Sequence, residues 1–417
     1  VSKKKTLTKK KAGRKKAPIK KKTPAKKRVK STKKKSATRK VPSKKTKLKA
    51  KPKAKPKAKP KAKPKSKPKS KPKAKPKAKP KTKPKAKPKS TKSARPIQPK
   101  SATYDYKFKD KVVLITGASK GLGYQIAKSY LKFGANLMVC SSNLTNIKKS
   151  YIKLKKIKKK NQKISYLATD VSSPKQVKKL VAVTIKKFKK IDILINNAGI
   201  YGPKGYIEKI NWDDWVKTIN VNLLGSILLC RAVIPYFKKN NKGKIIQLSG
   251  GGAASPLPRV SGYAVSKVGI VRFIENLASE VKKYNIDINA VAPGAVNTSM
   301  LNEILRAGPE KIGTHYYKKA LKQKKLGGTS SETACDLILF LGSKYSDGIK
   351  GKLVSALWDD WGNWPKYKKI LQNSDLYTLR RITAKDRGFD WGQSPTKSIY
   401  DLALAPHGSI GKIKQPS

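Results

Sequence analysis

Lys111-Val112-Val113-Leu114-Ile115 runs straight into Thr116-Gly117-Ala118-Ser119-Lys120-Gly121-Leu122-Gly123, and an apolar-periodic stretch follows from about Gly121 to Phe133. A short β-branched run, a glycine loop and an amphipathic helix open a βαβ unit. Glycines in such a loop permit a tight turn and let a pyrophosphate approach the N–H groups at a helix start. Glycine-rich turns are common, so the loop gains its meaning from what surrounds it. Six further runs read as strands: Asn136–Cys140, Ile164–Ala168, Ile191–Asn196, Lys244–Leu248, Asp287–Val291 and Lys352–Ser355. Between them lie the helical stretches Leu144–Lys160, Ser173–Lys189, Trp212–Lys239, Tyr263–Lys283 and Ser331–Leu341. Strands alternating with helices argue for an α/β fold: a doubly wound, seven-stranded parallel sheet covered on both faces.

Upstream of this region the composition changes abruptly. Residues 1–100 hold 48 of the 103 Lys+Arg, 15 of the 26 prolines, and no acidic or aromatic residue. Such a segment cannot bury enough apolar surface to offset the ordering of its backbone, so residues 1–103 are expected to be a disordered basic arm. From Pro52 to Pro88 a proline falls at every fourth position in ten K-P-K-x units. Proline geometry and lysine repulsion stiffen such a run, and 40 residues at about 3.1 Å each would reach on the order of 120 Å. The arm resembles the lysine-alanine-proline tails of linker histones and bacterial histone-like proteins, which implies binding to nucleic acid or another polyanion through phosphate neutralisation. Lacking aromatics, it has no platform for base stacking. The alternative is compositional drift, since 92 lysines stand against 11 arginines, but drift does not generate a strict proline period.

Cys140, Cys230 and Cys335 are scattered, and His315 and His407 are the only histidines, so neither a disulfide framework nor a metal site is expected. No apolar run reaches transmembrane length, and no signal-peptide stretch follows the basic start. The chain opens on Val1 rather than Met, so a short preceding stretch is expected. The composition fits a cytoplasmic protein, with nucleoid or nuclear association through the arm.

Three more motifs follow the glycine loop in order: Asn196-Asn197-Ala198-Gly199 after the fourth strand, Tyr263-Ala264-Val265-Ser266-Lys267 opening a helix, and Pro293-Gly294 with Thr298 after the sixth strand. With T-G-x-x-x-G-x-G, N-N-A-G, Y-x-x-x-K and P-G in this order and spacing, the region from about Lys109 to Ser355 resembles the classical short-chain dehydrogenase/reductase family. The resemblance implies a Rossmann-type sheet (residues 104–357), an NAD or NADP cofactor, and a tyrosine acting as general acid/base in hydride transfer between carbinol and carbonyl. It implies cofactor contacts at Thr116, Gly117, Ser119, Lys120, Gly121, Leu122, Gly123, Ser141, Asp170, Val171, Asn196, Ala198, Gly199, Tyr263, Lys267, Pro293, Gly294 and Thr298. It also implies that Asn222 supports a proton-relay water.

The residue chemistry agrees. Tyr263 and Lys267, four apart, share a helix face, where an ammonium would stabilise a phenolate and lower the tyrosine pKa. One position departs from the family pattern. Its serine, 13 residues before the tyrosine, is replaced by Gly250. Ser249 is the candidate substitute if the glycines of Gly250-Gly251-Gly252 form a bulge that turns it inward; Ser255 and Ser261 are weaker ones. The second strand ends in Ser141-Ser142-Asn143, with no carboxylate to repel a 2′-phosphate, and Lys120 is at hand to pair with one; NADP is expected, with NAD as the alternative.

Residues 358–417 form an aromatic-rich extension holding four of the six tryptophans, expected to pack on the domain or a subunit interface, or else to line the substrate mouth. It is similar to the tail of reductases associated with surface-sugar biosynthesis. The leading expectation is an NAD(P)-dependent oxidoreductase acting on a small-molecule alcohol or carbonyl, assembled as a homo-oligomer as family members often are. The alternative is a catalytically weak or inactive scaffold that binds nucleic acid.

Overall fold

The computed structural model describes residues 104–389. Seven strands, β1 (Val112–Thr116), β2 (Asn136–Ser141), β3 (Ile164–Ala168), β4 (Ile193–Asn196), β5 (Gly243–Leu248), β6 (Ile286–Ala292) and β7 (Leu353–Ser355), form one sheet in the order β3-β2-β1-β4-β5-β6-β7. Every pairing is parallel. This is the Rossmann-type doubly wound sheet expected from the sequence, and each strand lies within two residues of its expected bounds. The basic arm and the end of the aromatic extension lie outside the described residues.

Successive side chains on a strand face opposite sides. Accordingly Val113 and Ile115 of β1 enter the core on one face, while Leu114 enters the core on the other. The first face is covered by α1 (Gly121–Lys132), α2 (Leu144–Ile157) and α9 (Ser331–Gly342). The second is covered by α3 (Pro174–Phe188), α5 (Gly225–Lys239) and α6 (Ser261–Glu280). Two of these helices start at a side-chain cap. Asn143 Oδ1 accepts the Asn146 N–H at 2.8 Å to cap α2, and Ser173 Oγ caps α3 ahead of Pro174.

The expected helix Trp212–Lys239 is in fact α4 (Trp212–Ile219), a widened turn at Asn220–Leu224, then α5. This run has the length and apolar composition of a membrane span, contrary to the sequence reading. Its Leu229, Cys230, Val233 and Phe237 are buried against the sheet. Two further helices, α7 (Ser299–Ile312) and α8 (Thr314–Leu326), follow β6 where no element was expected. Gly308, at φ 76°, breaks α7 just before Pro309, cutting short the stripe of Leu301, Ile304 and Leu305, and α8 buries only Ala320.

The start of the C-terminal extension belongs to the core. Trp361 and Trp364 are 2% and 3% exposed, and the Trp361 ring lies 5.4 Å from that of Phe340 on α9. Trp358 remains exposed at 61%. Trp361→Ala is therefore expected to lower the unfolding free energy by about 3–5 kcal/mol. Trp358→Ala should change it by no more than about 0.5 kcal/mol. Urea unfolding of both variants checks the contrast, and equal effects would show that the extension is not part of the core.

Candidate active site

The order of the sheet reverses between β1 and β4, so the loops leaving their carboxyl ends diverge and open a crevice. One hydroxyl stitches these loops together. Thr116 Oγ1 accepts the N–H groups of Asn197 and Ala198, each at 3.0 Å, and Asn197 Nδ2 donates back to the carbonyls of Thr116 and Gly117 at 3.0 and 3.2 Å. The loops touch so closely that a Cβ on Gly117, which also sits at φ +65°, would lie 2.8 Å from Ala198 Cα. A Cβ on Gly123 would lie 2.5 Å from the Gly117 carbonyl. The first turn of α1 receives no side-chain cap from the exposed Lys120. Gly121 and Leu122 of that turn, with Thr298, help to line a cavity of about 320 Å³. Uncapped N–H donors, glycines no other residue would replace and a neighbouring lysine fit a pyrophosphate.

Towards the far end of the crevice, Ser141 Oγ donates to the Asn143 carbonyl at 3.3 Å, and no carboxylate stands at the end of β2. Asp170 accepts both the N–H and the hydroxyl of Ser172, at 3.0 and 2.7 Å. Val171 is buried against Gly225, where a Cβ would lie 2.8 Å from its Cγ2. Asn196 turns away from the crevice, its Nδ2 donating to the Ser226 carbonyl at 3.2 Å. Asn197 is its working neighbour, which the sequence reading left out of the site. Gly294, at φ +82°, has no room for a Cβ between Leu357 and Thr329, and Thr298 caps α7 through the Met300 N–H at 3.3 Å.

Tyr263, Lys267 and Asn222 come together at the carboxyl ends of β4 and β5. Asn222 grips the backbone of Ile200 with both ends of its amide, accepting its N–H at 2.8 Å and donating to its carbonyl at 2.9 Å. It holds Ser266 of α6 as well, at 3.0 Å. The widened turn at Asn220–Leu224 carries Asn222 into this position. Gly199 leaves the space between them open: a Cβ there would lie 3.2 Å from Asn222 Oδ1 and 3.7 Å from Lys267 Nζ. Lys267 Nζ lies 5.4 Å from the centre of the Tyr263 ring and donates to the Leu248 carbonyl at 2.8 Å. Burial pushes the Lys267 ammonium down to about 8. Burial, with Tyr316 nearby, pushes the Tyr263 phenol up. The lysine was expected to lower the phenol; here its ammonium is turned to a carbonyl, and desolvation decides the direction.

Gly250 lies directly beneath the Tyr263 hydroxyl, where a Cβ would be 2.5 Å from Oη. The bulge that would bring Ser249 to this place is absent. The Ser249 N–H continues the β5–β6 ladder to the Val291 carbonyl at 2.8 Å, so its side chain falls on the opposite side and its Oγ donates to the Lys267 carbonyl at 3.2 Å. Ser261 instead accepts the Trp215 indole N–H at 3.1 Å. The groups that do crowd Tyr263 are two tyrosines that the sequence reading missed. The Tyr201 ring centre is 4.6 Å from that of Tyr263, and the Tyr201 and Tyr316 hydroxyls are 3.5 Å apart. Tyr201 stands two residues past the N-N-A-G motif; Tyr316 lies on α8, which gives no periodic signal.

Residues 111–308 match the family model described as short chain dehydrogenase. The chain is 34% identical over 252 residues to dehydrogenase/reductase SDR family member 4 of Caenorhabditis elegans, covering 60% of this chain and 94% of that protein. Among solved structures it is similar to levodione reductase, with TM-score 0.55, 27% identity, and coverage of 62% of this chain and 99% of that one. It is likewise similar to a 7α-hydroxysteroid dehydrogenase complexed with NADH and 7-oxo glycochenodeoxycholic acid, with TM-score 0.53, 25% identity, and coverage of 60% and 94%.

The buried lysine yields a stability test. Its ordinary value is 10.5 and its folded value about 8, so between these the unfolded chain binds more protons and stability rises with pH. In Lys267→Met that contribution vanishes. The wild-type protein should gain urea resistance relative to the variant between about pH 8 and 10; a constant difference would contradict the depressed value.

Proposed function

Because this chain belongs to the short-chain dehydrogenase family, an oxidoreductase family whose structural relatives bind NAD(P), we propose that it is an NADP-dependent oxidoreductase interconverting a secondary alcohol and a carbonyl, with Tyr263 as the general acid and base. The observation carrying this reading is the convergence of Tyr263, Lys267 and Asn222 beside a glycine loop shaped for a pyrophosphate. Gly117, Ser119, Lys120, Gly121, Leu122 and Gly123 would hold the pyrophosphate. Thr116 braces that loop, and Ser141, Asp170 and Val171 would hold the adenosine. Ala198, Gly199, Pro293, Gly294 and Thr298 would flank the nicotinamide, with Asn196 contributing only backbone. When bound, the nicotinamide supplies or accepts the hydride. The preference for NADP rests on the missing carboxylate after β2 and on the exposed Lys120.

The protein's own residues manage the proton. A phenol pushed up by burial stays protonated at neutral pH, so in reduction Tyr263 donates its proton to the substrate oxygen. The phenolate left behind has Lys267 one helical turn along to offset its charge. Asn222 fixes the Ile200 backbone and α6 together, holding the acid in register. No serine polarises the carbonyl from position 250, and loss of one such donor costs about 10²–10³ in rate. That vacancy favours a second reading, a cofactor-binding scaffold with little or no turnover. In either case residues 1–103 would tether the protein to nucleic acid or another polyanion. Two copies would pair through α4–α6, where Leu224 and Val265 are 45% and 46% exposed.

Full-length protein should bind NADPH and oxidise it in the presence of some member of a broad carbonyl panel. Tyr263→Phe should lose about 10²–10⁴ in kcat while holding NADPH as tightly. Binding with no turnover across the panel would select the scaffold. Gly250→Ala should also cost about 10² in kcat, because its methyl displaces the Tyr263 hydroxyl, with little change in NADPH affinity. An unaltered rate would show that the close approach has no part in catalysis.

A further inference from the structure

Charge on the folded domain is not evenly distributed. Between Lys111 and Ile191 stand 20 lysines, no arginine and one acid, Asp170, whereas residues 192–417 carry 33 basic and 18 acidic residues. The first stretch has a net +19 over 81 residues and the second +15 over 226. Drift towards lysine would act on the whole domain alike, so it does not account for this contrast.

The fold gathers these lysines at one place. β3 is the edge strand of the sheet, with α2 on one face beside it and α3 on the other. Lys187 of α3 donates to Ser165 of β3 at 2.8 Å, tying α3 to the edge strand. Fourteen lysines between Lys148 and Lys189 are exposed, eight on α2 and the turn after it and six on α3 and its end. Among the described residues none of the fourteen forms an ion pair with a carboxylate. Some lysines elsewhere are paired, Lys111 and Lys190 with Asp192, Lys204 with Glu303 and Lys244 with Asp287 and Asp347, whereas those of α8 are unpaired among the described residues but belong to no comparable concentration. A concentration of unpaired cations repels itself, and a ligand carrying closely spaced anions relieves that repulsion.

We propose that the β3 edge, with the exposed faces of α2 and α3, is a binding surface for the phosphate backbone of duplex nucleic acid. The 14 residues of α2 span about 21 Å, and that length of duplex carries about 12 phosphates, a density of the same order as the lysines facing it. The surface is unsuited to a lipid bilayer. The exposed apolar residues of α2, Leu144, Ile152 and Ile157, lie about 80° and 140° apart around the helix and make no single stripe to insert. No exposed large aromatic side chain lies on α2, β3 or α3, so contact is with phosphates and is indifferent to base sequence.

The test uses the full chain, because residues 1–103 would bind the same ligand and the readout must resolve position. Lysine acetylation is followed residue by residue with and without a random 30-base-pair duplex, and again with phosphatidylserine vesicles. The proposal expects at least threefold protection by duplex at Lys149, Lys153, Lys156 and Lys179, while Lys318 and Lys322 on α8 keep their reactivity. In the full chain, Lys149→Gln/Lys153→Gln/Lys156→Gln should also reduce the slope of log affinity against log salt by about 2–3, with NADPH binding unchanged as the check on folding. Protection confined to residues 1–103, equal protection on α8, an unaltered salt slope, or protection of these lysines by vesicles but not by duplex would each overturn it.

Discussion

The site depends on a contact that tolerates no side chain. The glycine loop after β1 lies against the loop after β4 so closely that Gly117 and Gly123 have no space for a methyl group. The Thr116 hydroxyl and the Asn197 amide fasten the two with four hydrogen bonds. The strands diverge at this point of the sheet, so the same contact that closes the bottom of the crevice leaves its mouth open. It also sets where the N-terminus of α1 points and where Gly199 sits, and Gly199 is what lets Asn222 and Lys267 approach one another. The placement of the first turn of α1 and the grouping of Tyr263, Lys267 and Asn222 both follow from this one constraint.

Much of this was legible in the sequence because it depends on residues whose physics is local. Glycine loops, β-branched runs and a tyrosine and lysine one turn apart each have a local physical meaning, and their order along the chain pointed to the parallel sheet. What escaped depends on distance in the chain. α7 is interrupted by Gly308 and Pro309, and α8 buries only Ala320 and bears no periodic mark, yet Tyr316 of α8 is part of the surroundings that set the Tyr263 proton. The question raised by Gly250 needed the register of the β5–β6 ladder, which holds Ser249 to the far side. Burial of Trp361 needed α9 and its Phe340 in place. The direction of the Tyr263 shift was misread for the same reason: adjacency on a helix says nothing of the Leu248 carbonyl that takes the lysine's proton donor.

Gly250 stands where the family pattern has a serine, and this has a structural consequence beyond the missing hydroxyl. With no Cβ in the way, the Tyr263 hydroxyl settles onto the end of β5, while Tyr201 and Tyr316 close over its other side. Burial of this kind holds the phenol in its protonated form.

A crystal structure of the protein with NADPH and a non-reacting carbonyl analogue would show whether Tyr263 meets the reacting oxygen next to the nicotinamide. The Tyr263 hydroxyl is expected within about 2.6–3.2 Å of the analogue's oxygen, with the nicotinamide carbon about 3–3.5 Å from the carbonyl carbon. A nicotinamide lodged away from α6, or an analogue bound with the tyrosine hydroxyl still shut against Gly250, would contradict this expectation.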